Sequence, residues 1–239
     1  MALPSAILLD LDDTIVAFDV VADDCWRSIC ARYALEVAVP AERLFTAISR
    51  SRKWFWSEPE RHRSGRRDLG TARRQIVRRA FHDLELDETV AVRLADDFTE
   101  ERDHRGHLVV PFPGAVEAIA EFKRRGVQLA LITNGDARAQ RAKIERFDLT
   151  QHFDCILIEG EFGIGKPHPA VFLHALSILR RDPHDAWMVG DSLIFDIAPA
   201  VDIGIFSVWV DHERSGISES APCKPDRIIG SLFDLIDPH

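Results

Sequence analysis

The sequence predicts an α/β protein, in which helices flank a parallel β-sheet and a small all-helical domain is inserted after the first strand. Two observations predict this fold. Short apolar runs of the kind found in strands buried on both faces alternate with amphipathic helical stretches, which is typical of parallel sheets. The first two apolar runs lie far apart, and residues 17–105 between them show helical periodicity.

The apolar runs are the predicted strands. The first, at residues 5–10, reads Ser-Ala-Ile-Leu-Leu-Asp and ends near Asp10. Similar runs follow at residues 127–133, 155–159, 186–191 and 205–210. Helices are predicted between them over residues 113–125, where Pro113 suits the first turn and Gly126 ends the helix, and over residues 167–179. We therefore expect a Rossmann-like core.

The insertion follows from the length of chain between the first two strands. A crossover between neighbouring parallel strands takes about 30 residues, and this separation is much longer. Apolar residues recur there at helical spacing, among them Trp26, Ile29 and Tyr33. We expect an α/β core of residues 1–16 and 106–239 around a helical domain of residues 17–105, with boundaries where Gly and Pro break the periodicity.

The amino-acid composition limits the classes of partner that the chain is expected to bind and indicates its cellular compartment. The chain has 30 basic and 39 acidic side chains, a net charge of -9, which opposes binding to a nucleic acid polymer or an anionic membrane. The first apolar run is too short for a signal peptide or a transmembrane helix. The four cysteines show neither disulfide-scaffold density nor zinc-site spacing. We expect reduced thiols and a cytoplasmic protein.

Polar residues follow the predicted strands at the edge where open α/β sheets bind ligands. The first strand supplies Asp10 and Asp12, and the fourth supplies Asp191, with Asp196 shortly after it. The remaining polar residues are Thr133, Asn134 and Gly135 after the second strand, and Lys166 before a helix. Because parallel strands end at one edge, we expect these side chains to converge.

Four motifs carry a resemblance to a known superfamily. They read Asp10-Leu11-Asp12-Asp13-Thr14, Leu131-Ile132-Thr133-Asn134-Gly135, Gly165-Lys166-Pro167 and Gly190-Asp191-Ser192-Leu193-Ile194-Phe195-Asp196. In this order they resemble the haloacid dehalogenase superfamily, whose motifs are DxDx[TV], a strand ending in Ser or Thr, a Lys before a helix, and GDx(3-4)D. The resemblance spans roughly residues 5–210 and implies that the helical insert, residues 17–105, is a cap domain.

The chemistry of phosphoryl transfer explains the first motif. It requires an in-line nucleophile and cations that neutralise charge on the phosphoryl oxygens. Asp10 is the expected nucleophile, and the resemblance implies an aspartyl-phosphate on Asp10 that water hydrolyses. Asp12 lies on the same side of an extended chain and can act as general acid and then base. Close carboxylates favour a cation between them, and the family pattern places Mg²⁺ between the Asp10 side chain, the Asp12 backbone carbonyl and Asp191.

The other motif residues have supporting roles. Lys166 would place a positive charge beside the transferring group, and Thr133 with backbone donors at Asn134 and Gly135 would hold phosphoryl oxygens. Outside the metal ligands, Ser192 and Asp196 would form a supporting shell, with Asp196 orienting metal-bound water or Lys166. Asp13 is expected to be a turn residue.

Each residue taken singly has a structural alternative. An aspartate at a strand end often forms a turn or caps a helix, and Asp196 could be the first residue of a helix. Thr133 could cap a helix at residues 137–147, and Lys166 could be a surface lysine. The four motifs together favour the active-site interpretation.

A basic segment in the helical insert is the candidate for substrate recognition. The predicted substrate contacts are Trp54, Trp56, Arg63 and Arg66. A solvated helix face with core aromatics is the alternative, and it is favoured for most of these residues individually. The segment resembles those of pyrimidine 5'-nucleotidases and N-acylneuraminate 9-phosphatases, which implies a nucleoside monophosphate or a sugar phosphate as substrate.

The sequence thus predicts a Mg²⁺-dependent phosphatase for a small phosphorylated metabolite. A haloacid dehalogenase is disfavoured because it lacks the second carboxylate of the first motif. A phosphomutase of the β-phosphoglucomutase type keeps all four motifs and stays open, and a non-catalytic binding module is the remote alternative. The sequence does not specify the physiological substrate or the oligomeric state.

Overall fold

The protein is described from a computed structural model covering residues 3–219 and 221–236. Within these residues, six parallel strands form one sheet in the order β3-β2-β1-β4-β5-β6. The strands are β1 Ala6–Leu9, β2 Gln128–Thr133, β3 Cys155–Ile158, β4 Ala186–Gly190, β5 Phe206–Val210 and β6 Arg227–Ile229. The predicted Rossmann-like parallel sheet is confirmed. Strand β6 was not predicted, because it is three residues long and contains the exposed Ile228.

Strand β1 lies at the centre of the sheet. Leu8 is in register with Ala130 of β2 and with Met188 of β4. Every residue of β1 is fully buried, which accounts for its uninterrupted apolar sequence. The carboxyl ends of β1, β2 and β4 therefore lie side by side at one edge of the sheet.

Residues Phe18–Val109 form one compact unit, and the described residues before and after it form the other. The helices of this unit are α1 Phe18–Tyr33, α2 Ala41–Trp56, α3 Pro59–Arg67, α4 Leu69–Asp83 and α5 Glu88–His104. Trp26 stacks on Phe98 in its core, with ring centroids 3.6 Å apart. The turn Arg105–Leu108 packs on α1 and α5, so the unit extends a few residues beyond the predicted boundary. Its role as a cap stays a prediction.

The helices of the sheet unit are α6 Ala115–Arg124, α7 Ala137–Arg146, α8 Glu159–Phe162, α9 Pro169–Leu179 and α10 Ala198–Asp202. Helix α9 packs against β1, β2 and β3, where Phe172 and Leu176 join Leu8 and Met188 in one apolar cluster. Helix α6 begins two residues later than predicted from Pro113, because the residue before it, Gly114, has a left-handed φ of 77°.

Two structural alternatives for site residues are wrong. The N-cap of α7 is Asp136, whose side chain accepts a hydrogen bond from the Ala139 amide, so Thr133 does not cap this helix. Asp196 lies inside a π-helical turn, Leu193–Ile197, that Ser192 caps, so Asp196 does not begin a helix.

Among the helices in the described residues, none combines the length and apolar character that crossing a bilayer requires. Cys25, Cys30 and Cys155 are buried free thiols, and Cys223 is a partly exposed one.

Candidate active site

Three carboxylates and one ammonium group meet at the carboxyl edge of the sheet. Carboxylate oxygens of Asp10, Asp191 and Asp196 lie within 4.8 Å of one another. The Lys166 Nζ lies 2.5 Å from Asp10 Oδ1 and 2.6 Å from Asp196 Oδ1, and the lysine is 3% exposed. The sheet thus brings together four of the residues predicted for the site, and Lys166 is not a surface lysine.

A glycine at the end of β4 makes room for Asp196. A Cβ atom on Gly190 would lie only 2.3 Å from Asp196 Oδ2. The same oxygen accepts a hydrogen bond of 3.0 Å from the Ser192 amide. The Ser192 hydroxyl in turn accepts from the Phe195 amide at 3.2 Å, which stabilises the turn that carries Asp196. Ser192 therefore supports Asp196 through its backbone and the turn through its side chain.

Thr14 links the ends of β1 and β4. Its buried hydroxyl lies 3.2 Å from Asp10 Oδ2 and 3.3 Å from Asp191 Oδ1, and it accepts from the Asp191 amide at 3.1 Å. Asp13 has a left-handed φ of 58°, the conformation of a turn residue. The Asp191 carbonyl accepts a 2.7 Å hydrogen bond from the indole of Trp209. The sequence predicted Thr14 only as a member of the first motif and gave Trp209 no role.

Burial controls the ionisation of this cluster. It raises the pKa of Asp10 to about 6, against the lowering effect of Lys166 and with a further increase from Asp196. Burial and the charges of Asp10 and Asp196 raise the pKa of Asp191 well above its usual range. Burial opposes the charged form of Lys166, but its two carboxylate partners outweigh burial and raise its pKa. The ammonium group of Lys166 is therefore not sufficient to keep the pKa values of Asp10 and Asp191 at their usual level.

The carboxylate cluster fits a divalent cation. Mg²⁺ prefers oxygen ligands and relieves repulsion between close carboxylates. Lys166 and the Ser192 amide already contact both oxygens of Asp196. Asp10 is likewise contacted, by Lys166 and Thr14, so these contacts do not select two of the three carboxylates, and the assignment of the ion to Asp10, Asp191 and the Asp12 carbonyl stays a prediction.

The Asn134 side chain anchors the segment that carries Lys166. Its Nδ2 donates to the Lys166 carbonyl, and its Oδ1 accepts from the Lys166 amide, each at 2.8 Å. A Cβ atom on Gly165 would lie 2.5 Å from Asn134 Oδ1, so glycine permits this close approach. Thr133 is buried at the end of β2. The predicted binding of phosphoryl oxygens by Thr133 and Asn134 stays a prediction.

Asp12 contacts two residues of α7 that sequence reasoning missed. The Lys143 Nζ lies 2.5 and 2.6 Å from its two carboxylate oxygens, and the Gln140 amide donates to Asp12 Oδ2 at 2.9 Å. The sequence position of these two residues could have indicated a role at the site. Both lie on the helix that follows β2, three residues apart and thus on one face.

The predicted substrate contacts all lie in the helical unit, at Trp54, Trp56, Arg63 and Arg66. The guanidinium groups of Arg61 and Arg79 lie 4.1 and 4.4 Å from the ring centroid of Trp54. Arg63 pairs with Glu60 at 3.4 Å on the surface. These contacts lie within the helical unit, and a substrate-binding role stays a prediction.

The chain is similar in sequence to known phosphatases. The chain is 38% identical over 166 residues to phosphoserine phosphatase from Thermus thermophilus, covering 70% of this chain and 64% of that protein. It is 35% identical over 121 residues to N-acylneuraminate-9-phosphatase from Rattus norvegicus, covering 50% and 48%. The chain thus spans about half to two thirds of these relatives.

A solved structure covers nearly the whole chain. A 2-haloacid dehalogenase from Pseudomonas syringae superposes with a TM-score of 0.58 and 30% identity, covering 98% of this chain and 97% of that one. A family profile for haloacid dehalogenase-like hydrolases matches residues 4–204, which include all four motifs. The chain belongs to the haloacid dehalogenase-like hydrolase family.

Proposed function

We propose that this chain is a Mg²⁺-dependent phosphatase that hydrolyses a small phosphorylated metabolite through an aspartyl-phosphate on Asp10. One observation carries the proposal: a second carboxylate, that of Asp12, lies two residues after Asp10, and Asp10 forms a buried ion pair with Lys166. A phosphate ester needs both a nucleophile and a proton donor for its leaving oxygen. Asp10 and Asp12 supply these two groups.

The reaction proceeds in two steps. The Asp10 carboxylate attacks phosphorus, the ester P–O bond breaks, and Asp12 gives its proton to the leaving oxygen. Water then attacks phosphorus, Asp12 takes a proton from the water, and the bond between Asp10 and phosphorus breaks. The net change converts ester and water into alcohol and phosphate, with both aspartates restored.

Fixed groups orient the nucleophile and neutralise charge. Lys166 contacts one oxygen of Asp10 and Thr14 contacts the other, which sets the orientation of the carboxylate. The Lys166 ammonium stabilises negative charge on the transferring group in a buried setting, where such interactions are strongest. Asp10, the Asp12 carbonyl and Asp191 would hold Mg²⁺, which would supply further positive charge for the phosphoryl oxygens.

The second carboxylate also separates this proposal from dehalogenation. A halide leaves carbon as a stable anion and needs no proton, so a dehalogenase has no use for a general acid beside its nucleophile. Here the Asp12 carboxylate accepts hydrogen bonds from Gln140 and Lys143. We therefore interpret the similarity to a 2-haloacid dehalogenase as a similarity of fold.

The proposed substrate is a nucleoside monophosphate, a sugar phosphate or a comparably small phosphorylated metabolite. Names of similar proteins support a small substrate, since they refer to phosphoserine and N-acylneuraminate 9-phosphate. The net charge of -9 disfavours nucleic acid polymers and anionic membranes as partners. Free thiols suit a reducing compartment, so the proposal assigns the reaction to the cytoplasm.

A metabolite screen tests the function. Purified protein with Mg²⁺ is assayed for phosphate release from p-nitrophenyl phosphate, phosphoserine, nucleoside monophosphates and sugar phosphates, with a matched series in EDTA. We expect turnover only with Mg²⁺, and a phosphorylated protein on acid quenching. Asp10→Asn protein, which keeps the size of the side chain, should show neither. Wild-type turnover by Asp10→Asn protein would refute the nucleophile assignment.

Two further arms of the screen address the alternatives. Chloride release from a 2-chloro acid without phosphate release from any ester would indicate a dehalogenase. A hexose 6-phosphate formed from a hexose 1-phosphate would indicate a phosphomutase. Once a substrate is found, Arg63→Ala/Arg66→Ala protein is expected to show a raised KM, and unchanged kinetics would remove both arginines from the substrate site.

A further inference from the structure

The Asp12 carboxylate is held from the side by helix α7. The Lys143 Nζ lies 2.5 Å from Asp12 Oδ1 and 2.6 Å from Oδ2, so the ammonium group contacts both oxygens. The side chains of Lys143 and Asp12 are 16% and 26% exposed. Contact with both oxygens restricts rotation of the carboxylate more than a single contact would.

Gln140 adds a second and more deeply buried contact. The residue is 3% exposed, and its Nε2 donates to Asp12 Oδ2 at 2.9 Å. The same nitrogen lies 2.7 Å from Thr133 Oγ1 and 2.7 Å from the Asn134 carbonyl. A buried amide is costly unless it is hydrogen-bonded. Gln140 therefore joins Asp12, after β1, to the end of β2 where phosphoryl oxygens are expected to bind.

The geometry of α7 directs these two residues to one side. Gln140 and Lys143 are three positions apart, which puts them on one helix face. Arg141 lies between them in sequence but pairs with Glu161 at 2.6 and 2.7 Å. The Asp136 cap holds the amino end of the helix. The face that meets Asp12 thus carries one amide and one positive charge.

We propose that Gln140 and Lys143 are positioning residues that hold Asp12 in the orientation needed for proton transfer to and from the leaving group. This inference rests on the proposed phosphatase function. It assigns the two residues a role in breaking the ester bond, separate from the attack by Asp10. Their removal should consequently matter most when the leaving oxygen needs a proton.

Two aryl phosphates that differ in the leaving ability of the phenol separate this role from a merely structural one. Phenyl phosphate has a poor leaving group that benefits from protonation, whereas p-nitrophenolate leaves readily as an anion. The values of kcat/KM for the two esters are compared, because kcat/KM reports the steps up to and including departure of the leaving group. General acid catalysis contributes roughly 10²- to 10⁴-fold. We expect Lys143→Met to lower kcat/KM for phenyl phosphate about tenfold more than for p-nitrophenyl phosphate, and Gln140→Leu to show the same pattern.

Control variants complete the test. Arg141→Met, on the same helix, should leave the ratio of the two kcat/KM values as in the wild type. Lys143→Arg should bring this ratio closer to the wild-type value than Lys143→Met does. Lys143→Met keeps the test decisive if Gln140→Leu does not fold. An equal loss of kcat/KM for both esters, or no loss, would overturn the positioning role while the function stands. Absence of phosphate release by wild-type protein from either ester would overturn the proposed function and this inference with it.

Discussion

Lys166→Met is the substitution whose consequences follow most directly from the structure. Methionine keeps the length of the side chain and removes its charge. The lysine is 3% exposed and contacts Asp10 and Asp196 at 2.5 and 2.6 Å. In the variant, two buried carboxylates lose a shared positive partner. We expect the variant to be both less stable and less active.

The expected magnitudes are large. Removing one partner of a buried ion pair costs about 3–5 kcal/mol because the other charge stays buried. For a chain of this size that corresponds to a decrease in Tm of roughly 10 °C. Loss of a fixed cation beside the transferring group lowers kcat about 10²- to 10³-fold. Without the ammonium the pKa of Asp10 rises further, so the loss of stability in EDTA is greater at alkaline pH than at acid pH.

The assay compares this variant with Lys123→Met by thermal unfolding in EDTA and by phosphate release with Mg²⁺. Lys123 is a matched control, since it pairs with Asp154 at 2.7 Å but the two side chains are 32% and 36% exposed. An exposed pair contributes less than about 1 kcal/mol. Equal Tm decreases for the two variants, with kcat of Lys166→Met near wild type, would refute the reasoning.

Three other outcomes are expected. Gly190→Ala should abolish activity and lower Tm, because the new Cβ would lie 2.3 Å from Asp196 Oδ2. Gly106→Ala is the control and should be neutral in both assays, because a Cβ added there meets no atom within 4 Å outside its chain neighbours. Since the folded pKa of Asp10 is about 6, above its usual 3.8, its stabilising contribution is present below 3.8 and lost as pH rises through 6. Metal-free wild type should thus lose roughly 3 kcal/mol relative to Asp10→Asn in denaturant unfolding between about pH 4 and pH 8. Asp136→Ala removes the cap of α7 and should cost about 1 kcal/mol in the same measurement.

The residues at strand ends could be predicted because their placement depends on one rule. Parallel strands buried on both faces are visible as apolar runs, and the ends of neighbouring strands meet at one edge. Asp10 and Asp191 converge for this reason, although they are far apart along the chain. Strand β6 escaped prediction because a short edge strand carries little of this apolar signal.

The contacts between helices and loops could not be predicted in the same way. Whether Lys143 meets Asp12 or solvent depends on the rotation of α7 about its axis, and a helix as polar as this one carries little apolar pattern to indicate that rotation. The rotation follows from the few apolar anchors of α7, among them the buried Ile144, and from the Asp136 cap.

The contacts of Asp10 and Asp12 come from different parts of the fold. The carboxylate of the proposed nucleophile, Asp10, is contacted by Lys166 and Thr14. The proposed proton donor, Asp12, is contacted by two side chains of helix α7. We therefore expect substitutions on α7 to alter the proposed proton transfer while the carboxylate cluster around Asp10 is kept. The proposed attack on phosphorus and the proposed protonation of the leaving group are thus supported by different elements, so we expect mutation to separate their contributions.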